Sequence, residues 1–297
     1  MREVDPEIHA RGCLRQAPRL VALPASTARA ARIAEDPESS LEELAQAFTM
    51  DPALCSHLLK VANSAFYGLQ TEVSTIERAA VVLGRKVLRN VALAASMQAI
   101  VHRVDVNRAF SVDALWRHSI RTAAASSVIA SEGGAWEANE SFAAGLIHDL
   151  GLLVALETQG ECMEGVLSAA RSQGDHEGDG LCELERASMG ADHQYFGEAL
   201  CEAWSFPPAL RIAASHHHRA ADHDGPERHL AAVVRVAELL CGSGDHGLQG
   251  TEGGGTIDPI LLELTGLLGR DLRPLAEHIQ EVGDELESAF GSVRRAA

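Results

Sequence analysis

A histidine followed directly by an aspartate, His148-Asp149, stands inside the apolar run of residues 143–151. On one helix, neighbouring side chains point about 100° apart, so the two polar groups cannot both lie on the same apolar face. An imidazole and a carboxylate are also ligands that divalent transition metals accept. At least one of the two groups therefore needs a partner inside the fold, and a metal ion is one candidate.

Further histidines elsewhere in the chain could complete such a site: His118, His193 and the triplet His216-His217-His218. Several neutral imidazoles plus one bridging carboxylate leave a divalent metal net positive, so that it binds a phosphate oxygen and lowers the pKa of bound water. A structural interpretation stays open beside this one, in which the same histidines are hydrogen-bonded core residues. One of the three adjacent histidines must point away to solvent.

Three other chemistries lack support. A Ser-His-Asp nucleophile has no Gly-x-Ser-x-Gly elbow behind it, and the glycines at 253–255 do not separate a strand from a helix, so they form no phosphate loop. The six cysteines are scattered without a Cys-x-x-Cys pair, so the spacing that a zinc ribbon needs is missing. In a reducing compartment, cysteines with this spacing typically serve as small, buried, apolar side chains.

The elements that must position these histidines are predicted to be helices. Apolar residues make up 46% of the 297 residues and aromatic residues only 4%, and no segment shows convincing strand alternation. Start signals for helices are frequent, such as the capping box that begins at Ser40 and the N-cap pair Asp51-Pro52. The predicted fold class is therefore all-α, and a long apolar helix over 138–157 is expected to break near Gly145 or Gly151.

Charge and hydropathy limit the partners and the location. The formal net charge of −17 argues against nucleic acid, since counterion release requires a cationic face. No apolar run reaches the roughly 18 residues that span a bilayer, and residues 1–10 lack the apolar core of a signal peptide. The sequence therefore predicts a cytoplasmic protein without membrane contact.

The ordered motifs of this chain resemble the HDOD family, the HD-related output domains of bacterial signalling proteins. The resemblance covers about residues 19–240. Its signatures are the segments 20–25, 50–54, 58–68, 74–79, 83–84, 89–91, 115–119, 144–151 and 190–193, with Gly197, Trp204, Pro207-Pro208 and His216-His217. It implies a two-lobed helical protein, in which an N-terminal helical lobe packs on an HD-like helical bundle.

The resulting division of the chain has five parts. They are an N-terminal extension (1–18), the N-terminal helical lobe (19–108), the HD-like lobe (109–241), a glycine-rich linker (242–256) and C-terminal helices (257–297). Nearly all of the chain is used by these parts, so a signal is expected to arrive through a separate partner.

The wider superfamily consists of metal-dependent phosphohydrolases, so the resemblance also implies metal ligands. Carried over by position, they are His118, His148, Asp149, His193, His216 or His217, and Glu238 in place of a final aspartate. The expected metal is Fe, Mn, Zn or Ni. Leu152 stands where the cyclic-di-GMP phosphodiesterase branch has a phosphate-binding lysine, and the Gly-Tyr-Pro motif of that branch is missing.

These departures favour a non-catalytic signal-transduction module that acts through protein partners. One alternative is a metal-dependent phosphohydrolase acting on a nucleotide or cyclic dinucleotide, with Asp149 as the catalytic metal ligand. The other is a sensor that responds to a bound metal or nucleotide.

Overall fold

The structure, a computed structural model, describes residues 5–22, 29–30, 32–33, 36, 38–69, 71–101, 110–173, 179–241 and 257–291. Within these ranges the regular elements are helices and no strand occurs, which confirms the all-α prediction. The predicted linker, residues 242–256, lies outside them.

In the described residues of the first part of the chain, the structure gives the bounds of five helices and one 3₁₀ turn. They are α1 (Pro6–Leu14), α2 (Pro18–Val21), α3 (Leu41–Thr49), α4 (Pro52–Ala62), the turn Ala65–Tyr67 and α5 (Ile76–Val101). The predicted capping box is present, since Ser40 Oγ accepts from the Glu43 N–H and Glu43 Oε2 accepts from the Ser40 N–H. Gly84 has a φ of 76°, a conformation that glycine adopts readily, and it kinks α5.

The described residues of the second part form nine helices and one 3₁₀ segment. They are α6 (Val112–Gly133), α7 (Ala138–Ile147), α8 (Leu150–Gln173), α9 (Asp179–Met189), α10 (His193–Ala203), α11 (Pro208–His216), the 3₁₀ segment His217–Asp222, α12 (Arg228–Cys241), α13 (Pro259–Thr265) and α14 (Arg273–Phe290). Helix α6 lies at the centre and packs against α7, α12 and α14, while α8 packs against α9 and α10.

The break in the long apolar helix falls between the two glycines predicted to cause it. Helix α7 ends at Ile147 and α8 begins at Leu150, so His148 and Asp149 form the junction. The glycines instead allow close helix contacts. A Cβ at Gly145 would lie 2.6 Å from Thr122 O of α6, and a Cβ at Gly151 would lie 1.8 Å from His193 O of α10.

By length and composition, the stretch Ala138–Ala170 could cross a membrane, although the sequence predicts no membrane span. Its most apolar 18 residues have a mean hydropathy of 1.3, and 89% of them are buried inside the protein. Because other helices already cover this surface, the segment is a core helix pair that carries the His148-Asp149 junction.

Both ends of the described chain pack against the central helices. Helix α14 contacts both α4 and α6, and Arg121 of α6 forms ion pairs with Asp284 and, at 2.8 Å, with Glu287. At the other end, α1 packs on α10, and Arg11 Nε donates to Glu202 Oε2 at 2.9 Å. One continuous apolar core joins residues from α1 to α14.

Candidate metal centre

Seven polar side chains from five parts of the helical fold converge at one place, here called the histidine–carboxylate cluster. Its members are His118 of α6, His148 and Asp149 at the α7–α8 junction, His193 of α10, His217 and His218 of the 3₁₀ segment, and Glu238 of α12. His148 and His217 are fully buried, and Asp149 keeps 6% of its surface exposed. The junction carries a buried carboxylate among imidazoles from distant parts of the chain.

The Asp149 carboxylate lies between two groups of histidines. Its Oδ2 is 3.4 Å from His118 Nε2 and 3.2 Å from His148 Nε2. Its Oδ1 is 3.7 Å from His193 Nε2 and 3.6 Å from His217 Nε2. Each carboxylate oxygen therefore faces its own pair of imidazoles, an arrangement suited to bridging two adjacent metal positions.

Six of the seven members form two sets that share Asp149, and the seventh, His218, forms a further group with His217 and Glu238. The His118 set contains His118, His148, Asp149 and Glu238, and the His217 set contains Asp149, His193 and His217. Within each set, one ligand atom per residue lies within 4.8 Å of the others. Glu238 reaches the first set, with Oε1 3.5 Å from His148 Nε2. A glutamate therefore does extend to the place where the resemblance expects an aspartate.

Backbone carbonyls orient the imidazoles of His148 and His217. His148 Nδ1 is 2.7 Å from Gly145 O, and His217 Nδ1 is 3.1 Å from Ala214 O. Because a carbonyl oxygen only accepts, each Nδ1 must carry the proton and donate it. The Nε2 atoms, which face the cluster, are therefore the ones available to bind a metal.

The short Nε2 contacts test whether these residues fit a metal ion. His118 and His148 bring their Nε2 atoms to 3.1 Å, and His193 and His217 to 3.3 Å. Two imidazole lone pairs at these distances repel unless a proton or a cation accepts them. Imidazole and carboxylate ligands suit divalent transition metals. The donor set and its geometry therefore fit a divalent metal.

Without a metal, the cluster holds protons. Burial opposes protonation of His148, but the carboxylates of Asp149 and Glu238 raise its pKa to about 10. Burial likewise opposes protonation of His193, and nearby carboxylates raise its pKa to about 9. Burial lowers the pKa of His217. Because a metal must displace the protons of His148 and His193, its affinity is expected to rise with pH.

Glu185 of α9 orients His193. Its Oε2 accepts from the His193 backbone N–H at 2.8 Å and lies 2.7 Å from His193 Nδ1, and the glutamate is fully buried. Asp192, the carboxylate next to His193 in the sequence, has a different role. Asp192 instead caps α10, accepting from the backbone N–H groups of Gln194 and Tyr195.

We expect Glu185→Gln to weaken metal binding by about 10- to 100-fold, because partners that orient a ligand histidine typically have effects of this size. The amide oxygen of the substituted glutamine can still accept both hydrogen bonds, but it lacks the negative charge that makes His193 a more basic ligand. Metal affinity, measured by competition with a chelator, checks the expectation. Glu183→Gln, an exposed change on the same helix, should leave the affinity unchanged. Equal affinity in both variants would contradict it.

The structure brings six of the seven sequence-predicted ligands together, and His216 is the one that it leaves out. His216 Nδ1 lies 2.8 Å from Ser215 Oγ, and its ring packs against His223. His218, which the sequence did not select from the triplet, is in the cluster. Sequence also missed Glu185, because nothing in its local pattern distinguishes it from an exposed helical glutamate.

The helical fold and the buried cluster define a class of protein: an all-α protein with a candidate metal centre of histidines and carboxylates. The HDOD domain model matches residues 20–220, more than half of the chain. This protein belongs to the HDOD family.

Solved structures share this fold. An HDOD domain protein of unknown function from Geobacter sulfurreducens has a TM-score of 0.79 at 21% identity, covering 96% of this chain and 98% of that one. A protein from Shewanella amazonensis SB2B, named as a presumed phosphohydrolase, has a TM-score of 0.69 at 22% identity, covering 94% of this chain and 98% of that one.

A relative is also found by sequence. An uncharacterized protein of Treponema pallidum (strain Nichols) is 25% identical over 219 residues, which are 72% of this chain. The match covers 40% of the length of that protein.

Proposed function

We propose that the protein is a cytoplasmic, non-catalytic signal-transduction module in which a divalent metal, Fe, Mn, Zn or Ni, joins the helices that a protein partner recognises. The observation that carries this proposal is the burial of ligands drawn from five parts of the fold. Ions bound by the His118 set and the His217 set would connect α6, the α7–α8 junction, α10, the 3₁₀ segment and α12. Metal occupancy would then set the arrangement of the helical surface.

The same burial disfavours turnover as the main activity. His148 and His217 have no exposed surface, and His118 and Asp149 have only 6% each. At the position of the phosphate-binding lysine, Leu152 is 1% exposed and packs in the core. A phosphate group would therefore find neither an open ligand set nor this cationic anchor.

A metal-dependent phosphohydrolase is the second candidate, and the position of Asp149 between the two ligand sets favours it. Metals held by these sets would supply Lewis acidity and a more acidic bound water. His148, His193 and His217 would hold the metals, and Asp149 would bridge them. The substrate class would be a nucleotide or a cyclic dinucleotide.

Removing the metal tests the structural part of the proposal. A ligand at 100 times its Kd stabilises the native state by about 2.7 kcal/mol, which for a protein of this size corresponds to roughly 5–10 °C in Tm. Chelation of the metal-loaded protein should lower Tm by that amount, as measured by calorimetry. The double variant His148→Ala/Asp149→Ala should show no response to chelation. An unchanged Tm in the unsubstituted protein would contradict the proposal.

Hydrolysis assays separate the two candidates. Metal-loaded protein is mixed with a phosphodiester reporter, nucleotides and a cyclic dinucleotide, beside the double variant. The regulatory module predicts no turnover above that of the variant, together with cross-linking to a partner that depends on metal. Turnover that disappears in the variant would replace it with the phosphohydrolase. Partner binding that follows the concentration of metal or nucleotide would identify the sensor form of the module.

A further inference from the structure

Another group of metal-binding atoms lies beside the two sets that share Asp149. Cys182 of α9, His193 of α10 and His218 of the 3₁₀ segment each bring one ligand atom within 4.8 Å of the other two. His193 Nε2 and His218 Nε2 are 3.1 Å apart. Two nitrogens bonded to one tetrahedral ion at about 2.0 Å lie roughly 3.3 Å apart. The spacing is therefore close to that of two ligands on a single ion.

Gln194 connects the cysteine to the 3₁₀ segment. Its Nε2 donates to Cys182 Sγ at 3.6 Å, and its Oε1 accepts from the His218 backbone N–H at 3.3 Å. Gln194 is 1% exposed and Cys182 is 2% exposed. An amide donor to sulfur stabilises the thiolate form, which is the form that binds a metal. The surroundings of Cys182 therefore resemble those of a positioned ligand.

His218 supplies an independent observation that points to a ligand. Its Nδ1 is buried and has no hydrogen-bond partner. Because no acceptor or donor holds Nδ1, the proton of the neutral ring can reside there, which leaves the Nε2 lone pair for an ion. His218 Nε2 contacts His193 Nε2, and an ion bound between these two nitrogens would replace that contact.

We propose that Cys182, His193 and His218 form a separate, sulfur-containing metal site for a soft or borderline ion such as Zn²⁺. The proposal builds on the proposed metal centre, because both use His193. Glu185 holds His193 Nδ1, so that only Nε2 is free to bind an ion. An ion bound to Cys182 therefore excludes one in the His217 set. Binding releases the thiol proton of Cys182 to solvent.

The consequence is a choice between two kinds of metal. Thiolate ligands select softer ions, whereas carboxylate ligands suit harder ions such as Mn²⁺. His193 would bind a hard ion together with Asp149 and His217, or a soft ion together with Cys182 and His218. The identity of the available metal then decides which elements are joined.

Cobalt(II) is the probe that distinguishes the sites, because thiolate ligation adds a near-ultraviolet charge-transfer band to the visible bands. Metal-free protein is titrated with cobalt(II), and Cys182→Ser is compared with the control Cys201→Ser. Cys201 is fully buried on α10 and belongs to none of the candidate ligand groups. A second control, Cys162→Ser, removes an exposed thiol. Circular dichroism verifies that each variant folds.

The expected result is a near-ultraviolet band in the unsubstituted protein and in both controls, with complete loss in Cys182→Ser and retention of its visible bands. His193→Ala should also lose the near-ultraviolet band. Visible bands without a near-ultraviolet band in the unsubstituted protein would overturn the sulfur site and leave the proposed metal centre in place. A near-ultraviolet band that persists in Cys182→Ser would have the same meaning. Absence of all cobalt bands would overturn both.

Discussion

Asp149→Asn should abolish metal binding at both sets that share this residue. The two carboxylate oxygens face different pairs of imidazoles, at 3.2–3.4 Å on one side and 3.6–3.7 Å on the other. A neutral amide keeps the size of the side chain but removes the negative charge and one acceptor oxygen. After loading with Mn²⁺, which the sulfur-containing site disfavours, the manganese content measured by mass spectrometry should fall from near-stoichiometric to trace levels.

The same substitution should destabilise the protein even without metal. The imidazolium of His148 faces Asp149, and despite burial it keeps the pKa of that carboxyl well below its usual range. Removing one partner of a buried ion pair typically costs about 3–5 kcal/mol. Chemical denaturation of the metal-free protein would measure the loss. Full manganese content in Asp149→Asn would contradict the assignment of Asp149 as the shared ligand.

Adjacent histidines provide the matched control. His217 has no exposed surface and points its Nε2 toward Asp149, whereas the half-buried His216 interacts with Ser215 and His223. His217→Ala should therefore lower the metal content and His216→Ala should not. The two variants remove the same group from neighbouring positions, so a difference between them reports on the cluster. Equal losses would show that the effect comes from the local backbone.

Gly151→Ala should disrupt the fold around the cluster. A Cβ at this position would lie 1.8 Å from His193 O and 2.6 Å from Gly197 N. Both obstacles are backbone atoms of α10, so no side chain can rotate to relieve the overlap. Helices α8 and α10 would have to separate, and His193 would move away from Asp149. We expect a loss of at least about 3 kcal/mol in the free energy of unfolding and a reduced metal content.

A glycine-to-alanine substitution elsewhere on α8 should have the opposite effect on stability. Gly165 is exposed, and a Cβ there would meet no atom within 4 Å. Gly165→Ala should stabilise the protein by roughly 0.5–1 kcal/mol, because alanine loses less conformational freedom in a helix than glycine. Denaturation curves of the two variants, compared with that of the unsubstituted protein, check both expected changes in the free energy of unfolding. Similar stabilities would show that α8 and α10 can separate without cost.

Local sequence patterns determined much of the fold. Helical spacing of apolar residues and cap residues such as Ser40 and Asp51 act within a few positions along the chain, so they predict helices without knowledge of the tertiary contacts. The order of the motifs also identified the HDOD family, which the match over residues 20–220 confirms. Six of the seven predicted ligands meet in the structure, because the resemblance carried long-range information that periodicity does not contain.

Tertiary structure decided which polar side chains share the cluster. His216 and His217 are neighbours in sequence, yet helix α11 ends between them and only His217 points inward. Glu185, Cys182 and Gln194 acquire their roles only because α9, α10 and the 3₁₀ segment pack together. Gly145 and Gly151 predicted a helix break, and a break does occur between them. Their lack of a side chain has another role, because it lets α7 approach α6 and α8 approach α10 closely. Such roles depend on distances between residues far apart in the chain, and a local pattern contains no measure of those distances.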